Sequence, residues 1–426
     1  MQLILENIRC FSGRHVVPIK PLTLLIGENS AGKSTFLAAL AAVRSFGFPL
    51  RPRFNDPPYS LGNFDTIATY KGGRYGRAAS FALGFTQDSS ASGGTGDQSQ
   101  LREMVASYLD CQGAVEITEL TGREPGFEAS LAFGDRSGRR IIEISGIQRD
   151  APFHFEATGP AGFANISPLA VLFWNLAIEN RANLQEEVRF RQLVDDVEEL
   201  FRSPDQDGRV GALSIAPMRT KPRRTYDTFT EEFTPEGEHS PFALSTMLAD
   251  AKKRASLEAF GRESGLFQQI GIRRLGDKIS DPIQVLVTNS GRPANVLDVG
   301  YGVSQSLPVV VESLLTESRN ILLQQPEVHL HPRAQAALGS FMVDLQVDAG
   351  KNFVVETHSD YIVDRIRQEV AKGAIAADKV GILYFEKVGT DTSIYSMSLD
   401  SLGNILDAPP TYREFFLREE LSLLNR

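Results

Sequence analysis

Nine residues near the start of the chain, Gly27-Glu28-Asn29-Ser30-Ala31-Gly32-Lys33-Ser34-Thr35, constrain this sequence more than any others. They follow the apolar run Leu22 to Gly27, which reads as a strand. They precede Ser34 to Val43, whose Leu and Ala spacing predicts a helix. Strand, glycine-rich loop and helix in that order form the Walker A pattern, in which glycines let consecutive backbone N–H groups turn toward phosphate oxygens. In such a loop Lys33 neutralises β- and γ-phosphate charge and the Ser34 hydroxyl ligates Mg²⁺. Gly27, Asn29, Ser30, Gly32, Lys33, Ser34 and Thr35 are therefore the expected nucleotide contacts. Thr35 reads equally as a phosphate contact or as a helix-start residue.

The rest of the chain has to complete a core around that loop. Its 426 residues, 42% apolar and 23% charged, are enough for one large elaborated domain or two to three ordinary ones. Leu3 to Ile8 reads as a further strand. The β-rich runs Ala79 to Phe85, Ala114 to Leu120, Phe127 to Phe133 and Arg140 to Ile144 predict an antiparallel sheet. Asp88 to Asp97, rich in Ser and Gly, reads as a mobile loop. From Ser167 to Arg202 the apolar residues, among them Leu169, Phe173, Leu193, Val197 and Leu200, recur at helical spacing, and a second helical stretch covers Phe242 to Phe260. The expected organisation is an ATPase core in two parts, 1–160 with a β subdomain and 280–426, separated by a largely helical insertion at 161–279. No fixed-period internal repeat is present.

Three further motifs carry chemistry. Ile321-Leu322-Leu323-Gln324-Gln325-Pro326-Glu327-Val328-His329-Leu330-His331-Pro332 is an apolar strand ending in polar side chains, as a Walker B element should be. Its two histidines read as a strand end and helix cap or, with less support from ligand spacing, as part of a zinc site. Val354-Val355-Glu356-Thr357-His358-Ser359 repeats the design, with Glu356 and His358 two apart on one strand face. Asp298-Val299-Gly300-Tyr301-Gly302-Val303-Ser304-Gln305-Ser306 precedes the apolar helix Leu307 to Leu315; it reads as a plain Gly-rich helix cap or as an anion site at a helix N-terminus.

In that order these motifs resemble an ABC-type ATPase head, and more specifically the OLD-like AAA ATPases related to the SMC and RecF heads and found in bacterial anti-phage systems such as Septu and Gabija. Matching elements extend to Tyr412-Arg413-Glu414-Phe415-Phe416, so the resemblance covers most of the chain outside the insertion. It implies an α/β fold, a P-loop ABC-type head with an antiparallel β subdomain and a helical insertion. It also implies that Gly302, Ser304 and Gln305 meet the γ-phosphate of ATP held by a second protomer, so that ATP joins two heads. His358 matches the switch histidine, and Pro217 with Arg219 matches a Pro-x-Arg element of the family. The ABC pattern has an acidic pair before the Pro, the first acid holding Mg²⁺ through water and the second polarising the nucleophilic water. Here the positions are Gln324, the metal-side residue, and Gln325. An amide is neither an anion nor a useful general base, so Glu327 or Glu356 has to supply the carboxylate, or else ATP serves mainly as a dimerisation switch.

These readings bound the function. A net charge of −9 argues against a whole-surface nucleic-acid binder but leaves room for a local basic groove. Pro217 to Arg224 is such a segment, readable as a solvated loop or as a DNA- or partner-contacting patch. Cys10 and Cys111 show neither metal-ligand spacing nor a disulfide framework. With no basic-then-apolar leader at the start and no apolar run near the ~18 residues that span a bilayer, a soluble cytoplasmic protein is expected. The leading expectation is an ATP- and Mg²⁺-binding homodimer, or higher oligomer, that regulates a separately encoded effector such as a nuclease, since no Asp-x-Asp pair of a Toprim nuclease follows His358. The alternatives are a RecF- or SMC-like DNA-repair ATPase, disfavoured in its SMC form by the lack of long heptads, and a transporter nucleotide-binding subunit.

Overall fold

The structure is a computed structural model and describes residues 1–73, 76–88, 101–136, 139–148, 151–160, 192–193, 195–201, 211–227, 232–278 and 281–412. The chain opens with β1 (Gln2–Ile8), β2 (Phe11–Pro18), β3 (Leu22–Gly27) and α1 (Lys33–Val43). Then come α2 (Phe64–Ile67), β4 (Ser80–Asp88), β5 (Leu101–Cys111), β6 (Ala114–Glu124), β7 (Phe127–Arg136), β8 (Arg139–Gln148) and β9 (Ala151–Pro160). It divides into two compact units. One comprises Met1–Pro18, Ala42–Phe54 and Leu61–Gly208, and the other Ile19–Ala41, Asn55–Ser60 and Arg209–Arg426.

The first unit is built on an eight-stranded antiparallel sheet of order β2-β1-β4-β5-β6-β7-β8-β9. This is the antiparallel sheet expected from the β-rich runs, with three strands the runs did not reveal, β2, β5 and β9. The polar start Leu101-Arg102-Glu103 disguises β5. Arg102 is nevertheless buried, with its guanidinium 5.5 Å from the centre of the Phe85 ring and Nη1 donating to Glu199 O at 2.5 Å. Gln112 and Gly113 both take positive φ and close a two-residue hairpin between β5 and β6. Of the helix expected from Ser167 to Arg202, the described residues 192–193 and 195–200 are helical, with Leu193, Val197 and Leu200 buried. Residues 161–191, 194 and 202–210 lie outside the described residues, as do most of the loop expected at 88–97 and residues 413–416.

The second unit continues with β10 (Leu213–Ile215), α3 (Ser240–Met247), α4 (Ala251–Ser264), β11 (Gln269–Arg274), β12 (Ile283–Thr288), β13 (Ala294–Asn295) and α5 (Tyr301–Leu315). It ends with β14 (Asn320–Gln324), α6 (Pro332–Ala349), β15 (Asn352–Glu356), α7 (Asp360–Ala371), β16 (Val380–Val388), β17 (Asp391–Leu399) and β18 (Ile405–Leu406). Its central sheet has the order β10-β14-β15-β3-β16-β17-β18, parallel from β10 to β16 and antiparallel beyond. Leu22, Leu24, Ile321 to Leu323, Phe353 to Val355 and Ile382 are buried, the continuous apolar pattern of parallel strands covered on both faces. Between 161 and 279 the described residues hold α3 and α4, and also β10 and β11. β10 is three residues long, too short to show a period, yet it pairs with β14 in the central sheet. The helical stretch expected from Phe242 to Phe260 is two helices, because the Asp250 carboxylate accepts from Lys252 N and Lys253 N and starts a new one.

Strand register delivers the functional residues to one edge. Gln324 lies opposite Glu356 in the β14–β15 pair and Glu356 opposite Leu25 in the β15–β3 pair, so three adjacent strands end together below the glycine loop. The loop itself is tight against β16. Gly27 has φ +136°, and a Cβ there would lie 2.2 Å from the Phe385 carbonyl oxygen. Gly27→Ala should therefore cost ~3 kcal/mol or more, from the left-handed backbone and a clash with backbone that cannot yield. A urea-unfolding midpoint equal to that of the parent would contradict this packing.

Candidate functional site: a phosphate-binding loop facing Glu356

Ser30 and Gly32 take positive φ, which turns the loop over the start of α1, where Phe36 N donates to Gly32 O. Lys33 is 3% exposed and lies along the loop, with Nζ donating to Gly27 O (3.0 Å) and Glu28 O (2.6 Å). Burial lowers its pKa, partly offset by the charges of Glu356, Glu28 and Glu327. Ser34 turns its hydroxyl to Glu356, at 2.9 Å from Oε1 and 2.8 Å from Oε2. Glu356 is 4% exposed. Burial raises its pKa, against the Ser34 hydroxyl, the Lys33 charge and a side-chain hydrogen bond from Gln324. Ser34, Glu356 and Gln324 thus converge, and Lys33 neutralises part of their charge. Thr35 is buried at the helix start and Asn29 is exposed.

Glu327 sits in the turn after β14. Its Oε1 accepts from His358 N at 2.7 Å, while Oε2 is buried and makes no hydrogen bond of normal geometry among the described residues. Burial raises its pKa, offset first by the His358 N–H. His358 is exposed at the end of β15, its pKa lowered by burial of part of the ring and by the Lys33 charge. A buried acceptor short of a donor among the described residues, close enough to Lys33 to feel its charge, fits a water or a hydrated cation coming from the phosphate side.

The residues expected to form the signature stand at the start of α5. Gly302 packs closely on the loop after β14, where a Cβ would come 3.2 Å from His329 O. The Tyr301 ring meets His329 edge-on with centroids 4.9 Å apart. Ser304 Oγ donates to Tyr301 O at 2.8 Å. Gln305 is turned inward, 1% exposed, with Nε2 donating to Thr220 O at 3.3 Å, so its side chain steadies the neighbouring segment and does not face outward. Of the two histidines, His331 caps α6, its Nδ1 accepting from Arg333 N.

One residue has a place that its sequence context did not reveal. Arg219 belongs to neither a solvated loop nor a surface patch. It is 6% exposed and donates to Gln305 O (2.8 Å), Gln325 O (3.0 Å), Ala216 O (3.3 Å) and Pro326 O (3.4 Å). Burial pulls its pKa down to about 10, partly offset by the Glu327 charge. Arg224 forms an exposed bidentate pair with Asp298, which leaves Lys221 and Arg223 as the exposed cations of the segment that carry no ion pair among the described residues.

Two family models match the chain, an AAA domain over residues 2–92 and "AAA domain, putative AbiEii toxin, Type IV TA system" over residues 174–364. No curated protein matches it. The mixed α/β fold resembles that of SMC ATPase heads. An SMC head bound to the C-winged helix domain of ScpA is 11% identical, with 94% of this chain and 97% of that one covered and a TM-score of 0.42. The SMC head domain from Thermotoga maritima is 12% identical, with 92% and 97% covered and a TM-score of 0.38. The Smc head domain with an extended coiled coil from Pyrococcus furiosus, bound to the C-terminal domain of ScpA, is 11% identical, with 99% and 98% covered and a TM-score of 0.37. The chain thus matches AAA-domain models over parts of its length, and among the described residues no helix is long and apolar enough to cross a membrane.

Both Glu327 and Glu356 have pKa values raised by folding, so the fold favours their protonated forms. Their contribution to stability is fully present below the ordinary carboxylate value and is lost as pH rises through the raised values. Glu356→Gln removes a buried charge while keeping an acceptor for Ser34. It should raise the melting temperature of the ligand-free protein at about pH 8, with the gain shrinking as pH falls toward about 5. A variant that melts lower than the parent at the higher pH would contradict this account of Glu356.

Proposed function

We propose that this chain binds ATP with Mg²⁺ as an ABC-type head, pairs with a second copy through composite ATP sites, and uses that cycle to regulate a separately encoded effector. The observation that carries the nucleotide reading is the contact between Ser34 Oγ and both oxygens of Glu356, which sets a carboxylate beside the serine of the phosphate-binding loop. Gly27, Asn29, Ser30, Gly32, Lys33, Ser34 and Thr35 would hold the phosphates. Mg²⁺, which supplies neutralisation of phosphate charge, would sit at Ser34 with Glu356 and Gln324 beside it. In this reading the acid absent from β14 is provided by the neighbouring strand.

Glu327 is the residue best suited to take a proton from the attacking water, because its Oε2 is buried and its raised pKa brings it nearer to neutrality. Its backbone partner His358 stands at the same edge, as a switch residue would. In this reading the start of α5 is the end offered to the partner's nucleotide, with Tyr301 exposed, Gly302 half-buried and Ser304 buried just behind them. An effector in anti-phage defence, such as a nuclease, is the setting we favour. The toxin-system description of the family matched at 174–364 is in line with it. The DNA-repair alternative loses support from the basic segment, since Arg219 is buried and Arg224 is paired. A salt-dependent DNA affinity that vanishes on neutralising Lys221 and Arg223 would restore it.

Lys33→Ala should weaken binding of a fluorescent ATP analogue ~30-fold or more, while Ser304→Arg should leave binding by the protomer unchanged and abolish ATP-driven dimerisation. Mixed together, the two variants should form a heterodimer with ATP, because one contributes an intact loop and the other an intact α5 start. Sedimentation of the mixture as monomers would refute the composite site. Glu327→Gln should lower kcat ~100-fold or more with little change in binding, and the parent kcat should fall with decreasing pH at a midpoint above the ordinary carboxylate value. A pH-independent kcat across that range would remove Glu327 from the role of base.

A further inference from the structure

We infer that Arg219 is a positioning residue that ties the start of α5 to the placement of Glu327, so that engagement of the signature end by a partner is felt at the proton acceptor. The inference rests on the composite-site reading above and assigns a role to the Pro-x-Arg element that the reading itself does not use.

The guanidinium joins two segments far apart in sequence. On one side it donates to Gln305 O in the first turns of α5, and Gln305 returns the contact by donating from Nε2 to Thr220 O. On the other side it donates to Gln325 O and Pro326 O, immediately before Glu327. Each end has a distinctive backbone. Pro308 has no N–H to give Ser304 O, so the first turn of α5 lacks one bond to the next turn. Gln325 takes φ +42°, unusual for a residue with a side chain, and is held there by its N–H on Glu356 O (2.8 Å) and its carbonyl on Arg219.

A planar fork with fixed donor directions can satisfy carbonyls of two segments at once, whereas an ammonium is a point donor that cannot span them. The guanidinium is also buried, so breaking one of its contacts leaves a buried charged donor short of an acceptor. A shift at the start of α5 must therefore carry Gln325 and Pro326 with it. Glu327 follows them, and its Oε2 is re-aimed relative to Lys33 and Ser34. Arg219 touches no reacting atom in this scheme; it acts through Glu327.

Hydrogen exchange read by mass spectrometry, with sedimentation, tests this with a non-hydrolysable ATP analogue and Mg²⁺. In the parent, dimerisation should accompany ~10-fold slower exchange in 27–35 and in 325–331. In Ser304→Arg only 27–35 should slow. In Arg219→Lys the dimer should form and 27–35 should slow, while 325–331 stays within ~2-fold of its ligand-free rate. Slowing of 325–331 in Arg219→Lys to the parent level overturns the link. So does Arg219→Lys binding the analogue but remaining monomeric, since the lesion then lies in the signature itself. If Arg219→Lys does not fold, the parent and Ser304→Arg decide, and equal behaviour of 325–331 in the two overturns the inference. A parent that shows no slowing in 27–35, or no dimer, instead sinks the composite-site reading on which the inference stands.

Discussion

Two short contacts from the Ser34 hydroxyl to Glu356 join the first turn of α1 to the end of β15, and the rest of the site is arranged around them. They require Gly27 to close against β16, β15 to lie between β14 and β3, and Glu356 to stand in register with Gln324. The contact also sets the local electrostatics. Lys33 is kept charged in a buried place by the carboxylates around it, and Glu356 tolerates burial because Ser34, Lys33 and Gln324 all favour its charged form.

This arrangement changes the meaning of the glutamine at 324. Beside a Glu on the neighbouring strand, a second carboxylate would raise the pKa of the pair and drive one of them neutral. An amide at 324 donates a hydrogen bond to Glu356 instead. The glutamine that looks like a lost acid in the linear motif is, in the folded sheet, a neighbour and partner of Glu356 on the adjacent strand. The turn that follows keeps its own carboxylate, Glu327, one residue beyond the Pro.

The core and the loop were legible because their signals are local. Continuous apolar runs mark the parallel strands, and glycines at fixed spacing mark the turn over α1. Three features were hidden. β5 begins with Arg102, whose burial depends on Phe85 and Glu199, and β10 is too short for any period to show. The basic run from Arg219 to Arg224 reads as a solvated loop or a contacting patch, yet its first residue is buried by carbonyls 86 and 106 positions away, a fact no local pattern carries. Gln305 turned inward for the same reason, as half of the reciprocal contact with the segment around Arg219.

The central claim is that Glu356 supplies the metal-side carboxylate in place of Gln324. Exchanging the two, as Gln324→Glu with Glu356→Gln in one chain, tests it most directly through Mn²⁺-dependent ATP affinity followed by electron paramagnetic resonance. Glu356→Gln alone should lose ~10-fold or more of that metal dependence, and the exchanged pair should recover most of it, because the register sets the two side chains next to each other. Parent-level metal dependence in Glu356→Gln would contradict the account.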